Sequence, residues 1–280
     1  MNVEILTFAT PDAWNGGIGF GCATLGPAGT DAKTVSAMPL EGIALTGTYV
    51  EILKGAAVVT QPVFAAVVLF GNAGGENEFL KQLQSVVNCP MVGGGAAFSD
   101  QPGLVTGGGQ AAVFLITDSR YTYETVTQCI HDEVLETCRL ELADPRTLSR
   151  INGEDAAAFL ARKKGERGLP ATDFEHLTLT TENGVNAHLS FDGTNIKSGR
   201  DLAKTMVLRA VAHENVYDRM RAFYDDPDAV IFGCAGLSGL LDKPLDTPSV
   251  GLFLFGEVCT VDGKAEFGNL MLSKLRILPK

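Results

Sequence analysis

Two stretches of this chain read almost alike, and their spacing limits the folds that can hold them. Val68-Leu69-Phe70-Gly71-Asn72-Ala73-Gly74 and Val230-Ile231-Phe232-Gly233-Cys234-Ala235-Gly236 agree at five of seven positions, 162 residues apart. Pro90-Met91-Val92-Gly93 and Pro248-Ser249-Val250-Gly251 agree at three of four, 158 residues apart. The order continues without identity. Pro102-Gly103 and Asp262-Gly263 read as hairpin turns, and residues 111–117 and 270–277 as the strands that follow. Each half thus reads as buried strand, glycine loop, connection, second glycine-ended strand, hairpin and strand. An internal duplication explains that order at a near-constant offset. The expected fold class is α/β (α+β), with two related layered halves, each a mixed sheet with flanking helices. The expected domains are 1–122 and 123–280, with the boundary between Thr117 and Gln128.

Composition narrows the function classes. The 280 residues are 45% hydrophobic and 20% charged, which excludes a disordered tail, a collagen-like fibre and a disulfide mini-protein. Net charge is −11 and no basic stripe offsets it, so no nucleic-acid partner is expected. Residues 1–120 carry only 4 basic and 9 acidic side chains, against 18 and 24 in the remainder. A segment so poor in charge is a core sheet or an interface; the second reading would make the chain a scaffold that homodimerises through its first half. The uncharged run 55–75 is broken by Thr60-Gln61-Pro62 and ends in glycines, so it reads as buried strands and no membrane span is expected. No basic region followed by an apolar run opens the chain. Cys22, Cys89, Cys129, Cys138, Cys234 and Cys259 form no C-x-x-C pair. Free thiols in the cytoplasm, with no metal and no cofactor, are the expectation.

Periodicity predicts helices over 76–87, 155–164 and 213–224, the last stopped by Asp225-Asp226-Pro227. Asn183-Gly184 predicts a hairpin between 176–180 and 185–191. Residues 200–212 fit helix or strand, and 163–170 reads as a polar loop. Asp225, Asp226 and Asp228 read as a solvated helix-end cluster.

The candidate site lies where strands end in glycine, because peptide N–H groups are free there and small residues let a ligand approach the main chain. Cys234 would present its thiol at the mouth of a pocket, beside Gly236 and Ser238. A strand over 250–255 ends in Gly256-Glu257, and the Glu257 carboxylate could accept bonds from an amine, an amide or a guanidinium. Asn269 opens the next strand and could line the same mouth. Asn72, Gly93 and Gly94 hold the matching places in the first half. A structural reading stands beside each: Cys234 as a small buried apolar side chain, Glu257 as a surface carboxylate.

Phe232-Gly233-Cys234-Ala235-Gly236, then Gly251 through Gly256-Glu257, then Phe267-Gly268-Asn269 resemble the FIST C-terminal domain. Ile151-Asn152-Gly153-Glu154-Asp155-Ala156 resembles that family's Asp-Gly-x-x-Ala segment. Val67 to Phe70 and Pro90 to Gly95 look like a shortened FIST N-terminal domain. The resemblance implies a small-ligand sensory module, with amino acids as proposed ligands and a separate signalling protein as partner. Two places depart from the pattern. Leu237-Ser238-Gly239 stand where the family has an Arg after Cys-x-Gly, and Ala97-Phe98-Ser99 replace the first half's Gly-Glu ending. An Arg fork is a natural carboxylate clamp, so such a ligand would need another group.

The alternative is a cysteine-dependent hydrolase or transferase using Cys234 as nucleophile, assisted by Glu257 or a histidine. Other enzyme signals are weak. Gly17-Ile18-Gly19-Phe20-Gly21 lacks the dinucleotide-binding spacing and reads as strand or loop. His131, His176, His188 and His213 have no metal-binding spacing; His176 and His188 read as a cross-strand pair on the hairpin. No nucleophile-elbow or phosphate-loop motif is present.

Overall fold

The structure is a computed structural model that describes residues 17–26, 29–70, 74–96, 109–212, 215–226, 229–243, 245 and 250–280. The predicted turn Pro102-Gly103 and residues Asn72, His213 and Asp228 lie outside them. The protein is mixed α/β. Its elements in chain order are β1 (Gly17–Gly26), β2 (Gly29–Pro39), β3 (Gly42–Thr48), α1 (Tyr49–Ala56), β4 (Phe64–Phe70), α2 (Glu76–Val87), β5 (Met91–Ala96), β6 (Gln110–Ile116) and β7 (Tyr121–Cys129). There follow β8 (Glu133–Asp144), β9 (Thr147–Ile151), β10 (Glu154–Asp155), α3 (Ala156–Glu166), β11 (Leu177–Thr180), β12 (Asn186–Ala187), β13 (Leu189–Phe191), β14 (Ile196–Ser198) and β15 (Thr205–Ala210). The chain closes with α4 (Val216–Tyr224), β16 (Ala229–Cys234), a 3₁₀ segment (Ala235–Leu240), β17 (Val250–Leu254), β18 (Glu257–Val261), β19 (Lys264–Gly268) and β20 (Met271–Pro279).

β4 and β16, which carry the described strand parts of the two similar stretches, occupy equivalent places in two sheets. β4 runs parallel to β5 and antiparallel to β6, with β3 outside. β16 runs parallel to β17 and antiparallel to β20, with β7 outside. The orders β5-β4-β6-β3 and β17-β16-β20-β7 therefore correspond strand for strand. β4 is buried on both faces, as its unbroken apolar sequence requires. Ala65, Val67 and Leu69 pack with Phe79, Leu80 and Leu83 of α2 and Ile52 of α1. Phe64 and Ala66 point the other way, into a cluster shared with Val230 and Phe232 of β16 and Leu275 and Ile277 of β20. Burying such side chains contributes roughly 1.5–3 kcal/mol each.

Two features break the simple repeat. The β18–β19 hairpin follows β17 in sequence but joins the other sheet, where Glu257 and Val258 pair with Gly94 and Gly93 of β5. Residues 133–210 form a separate β-unit, of order β12-β11-β15-β8-β9-β14-β13, inserted between β7 and α4. Its core is built from Cys138, Leu140, Leu148, Phe159, Leu179, Met206 and Leu208. Residues 122 and 123 both lie within β7.

Local expectations meet the fold unevenly. The helix over 76–87 appears at those bounds, and Asp155 caps α3 by accepting the Ala158 N–H at 3.0 Å. α3 runs on through Glu166, so the loop expected from residue 163 starts later; its last turn is held by Arg162–Glu166 and Lys163–Glu136 ion pairs. Residues 205–210 are strand, because β8 and β11 flank them with hydrogen-bonding edges. Asp226 is buried and paired with Lys274 at 3.0 Å and Arg276 at 2.6 Å, which corrects its reading as solvated. The cations come from β20, which nothing near Asp226 in sequence reveals.

Candidate small-ligand site

Three chain reversals meet where the two sheets adjoin. β16 ends at Cys234 and passes into the 3₁₀ segment. Gly256, at φ 90°, turns the chain into β18, whose first residue is Glu257. Asn269 and Leu270 connect β19 to β20. A Cβ on Gly256 would stand 2.7 Å from Asn269 Nδ2, and one on Gly236 would stand 3.5 Å from Cys234 Sγ. A Cβ on Gly94 would lie 2.2 Å from the Gly256 carbonyl oxygen. Cys234, Gly236, Gly256, Glu257, Asn269 and Gly94 are thus brought together. Gly93 serves strand packing instead, since its Cβ would fall 1.8 Å from the Val67 oxygen. Ser238 lies along the 3₁₀ segment, half-buried, and its carbonyl accepts the Leu241 N–H at 3.2 Å. Asn72 is outside the described residues.

The electrostatics of the junction follow from burial. Glu257 is fully buried; its Oε1 accepts the Met271 N–H at 3.2 Å, and its Oε2 has no hydrogen-bond partner. Burial pushes its pKa well above the usual carboxylate range, which favours the neutral acid. Cys234 is buried rather than at an open mouth, because β16 continues its apolar packing through the sulfur into a cluster with Leu237 and Leu270. Burial, then the nearby Glu257, pushes the thiol up to about 12, against backbone hydrogen bonds from Leu270, Gly236 and Gly256. A thiol held there is protonated at neutral pH and is a poor nucleophile. Tyr224, at the end of α4, is buried beside them and also raised, first by burial and then by Glu257 and Cys234.

Residues of the inserted unit border the junction. Asn269 Oδ1 accepts the His188 N–H at 3.2 Å, and its own N–H donates to the Asn186 oxygen at 3.1 Å. His188 Nε2 stands 3.9 Å from Glu175 Oε1, and a Cβ on Gly239 would lie 2.8 Å from Glu175 Cγ. His188 and Glu175, each close to a third exposed, therefore border the 3₁₀ segment. His176 faces Asp173 at 2.6 Å instead of pairing with His188. The hairpin holds only the pairs Leu179–Ala187 and Thr180–Asn186, and β13 then leaves to pair with β14.

Next to Asn269, Leu270 sits at φ 53°, a left-handed conformation that is strained for a bulky residue. Its carbonyl accepts from Asn186 Nδ2 at 3.2 Å. Asn186 Oδ1 accepts from Thr180 Oγ1 at 2.9 Å, and its Nδ2 meets His131 Nδ1 at 3.3 Å. His131 Nε2 lies 2.7 Å from the Glu175 oxygen, and burial lowers this imidazole to about 4, leaving it neutral. The network fixes the turn that presents Asn269. Sequence reasoning missed Tyr224, Glu175, His188 and Asn186 as site neighbours. Each is an isolated polar residue without motif spacing.

Among the described residues no group of three or more His, Cys, Asp and Glu side chains could hold a metal ion, and no helix is long and apolar enough to cross a membrane. No protein-family model and no curated protein matches the chain.

Proposed function

We propose that this protein binds a small polar ligand, an amino acid or similar metabolite, at the junction of Cys234, Glu257 and Asn269, and acts as a sensory or signalling accessory protein. The observation that carries this reading is the Glu257 carboxyl, fully buried with Oε2 unpartnered. A buried polar atom without a partner costs free energy that a ligand donor would recover. No basic side chain figures among the groups that shift its pKa. An ammonium or amide is the matching donor, and a cation would also let the acid ionise. Gly236 and Ser238, both half-buried, lie in the 3₁₀ segment that follows Cys234. The order of motifs that resembles FIST domains supports the sensory assignment, with a separate signalling protein as partner and the cytoplasm as its setting. Nucleophilic chemistry at Cys234 is the weaker reading, because its thiol is pushed up to about 12.

The test is thermal unfolding against a panel of amino acids and small amines. A ligand at 100 times its Kd stabilises by about 2.7 kcal/mol. That gain should vanish in Glu257→Gln. No response across the panel, together with turnover of an amide substrate that is lost in Cys234→Ala, would replace this reading with the hydrolase one.

A further inference from the structure

The β18–β19 hairpin carries a second, distinct polar feature. Its alternation sends Val258, Ala265 and Phe267 into the core against α2. The paired residues Cys259 and Glu266 occupy the opposite face. Arg200, from the β14–β15 connection, reaches that face with a side chain only 6% exposed. Its Nη2 meets Glu266 Oε2 at 3.3 Å, while Nε and Nη1 have no hydrogen-bond partner.

A guanidinium does not deprotonate in proteins, so Arg200 is a fixed cation in a dry setting with idle N–H donors. Arg146, between β8 and β9, shows the contrast. Arg146 reaches two carboxylates, Asp201 at 2.7 Å and Glu76. The main chain that delivers Arg200 is pinned: its N–H donates to Ser198 Oγ at 3.2 Å and the Gly199 N–H to the His188 oxygen at 2.9 Å. The head group itself is held by burial and by Glu266. Buried Cys259 lies near enough for the Arg200 charge to lower its pKa, against the larger effect of burial.

We propose that Arg200 is a binding residue for a small monocarboxylate, which enters beside Glu266. A carboxylate is planar and presents two oxygens to a planar set of donors. Glu266 already supplies one negative charge, so a monoanion is tolerated where a phosphate dianion would be repelled. The Glu266 side chain, bonded by Asn183 Nδ2, is 20% exposed against 6% for Arg200. This assignment stands independently of the Glu257 site.

Acetate is the probe. Its effect on the melting temperature of the full chain should exceed that of chloride at equal ionic strength, and the Arg200 Nε–H resonance should move with acetate but not with chloride. Glu266→Gln removes the competing carboxylate, so the acetate midpoint should fall several-fold. Arg200→Gln should lose the acetate-specific gain. Equal acetate gains in wild type and Arg200→Gln would overturn the proposal, as would an unmoved Nε–H resonance in both wild type and Glu266→Gln. A phosphate response at least as large as that to acetate would overturn the carboxylate assignment. If Arg200→Gln does not fold, the wild-type resonance and the Glu266→Gln midpoint still decide.

Discussion

Glu257 opens β18 directly opposite Gly94 of β5, and the adjacent Gly95 N–H donates to the Gly256 oxygen at 3.0 Å. This pairing carries a residue from the second half into the first half's sheet and buries its carboxyl. The absence of side chains at Gly94 and Gly256 lets the two main chains approach.

The glycines of β5 should be irreplaceable for that reason. Gly93→Ala puts a Cβ 1.8 Å from the Val67 oxygen at φ 145°, and should cost more than about 4 kcal/mol in urea unfolding. Gly153→Ala, at φ 84° with open space around it, should cost only about 1 kcal/mol. Similar losses for the two variants would contradict the close β4–β5 approach.

The pH dependence of stability should have two opposed limbs. Glu257 has a folded pKa raised above its unfolded value near 4.5, so its contribution is complete below that pH and is lost as pH rises. Glu257→Gln should flatten the decline toward alkaline pH. His131 is lowered from 6.5 to about 4, so its contribution is complete above 6.5 and fades as pH falls through 4. That limb is worth at most about 3 kcal/mol and should shrink in His131→Gln. Melting curves from pH 4 to 9 read both; a Glu257→Gln profile parallel to wild type would argue against a buried neutral acid.

Alkylation should find Cys234 protected. With its thiol buried and pushed up to about 12, as for Cys89 and Cys259, iodoacetamide at pH 7 should modify all three slowly. The rates should rise together when urea opens the fold. Mass mapping that finds native Cys234 modified well ahead of Cys89 would restore the nucleophile reading.

Asn186 should be the costliest side chain in the network behind the turn. Asn186→Ala leaves Thr180 Oγ1 and the Leu270 oxygen without their Asn186 bonds, and should destabilise by roughly 3 kcal/mol in chemical denaturation. Asn195→Ala, on an exposed turn, should change stability by less than about 0.5 kcal/mol. Equal effects would mean that the network does not hold Leu270.

Much of the candidate site was legible because glycine placement is a local signal. Gly236, Gly256 and Gly268 mark close approaches, and Cys234, Glu257 and Asn269 sit beside them in sequence. Glu175, His188 and Tyr224 were not legible, because each reaches the site through tertiary packing. The hairpin at Asn183-Gly184 was visible, but its short length was decided by β14, which captures β13. Asp226 looked like one of several surface carboxylates until β20 placed Lys274 and Arg276 beside it.

By itself the sequence determined the mixed α/β class, the apolar runs of β4 and β16, the amphipathic α2 and the turn at Asn183-Gly184. Those depend on side-chain periodicity and backbone freedom within a few residues. Only the tertiary structure decided that β18 leaves its own half to pair with β5, that residues 133–210 form a separate sheet between β7 and α4, and that Glu257 loses its water. Strand pairing is chosen by contacts between distant segments, and desolvation by everything that closes over a group, so neither has a local signature.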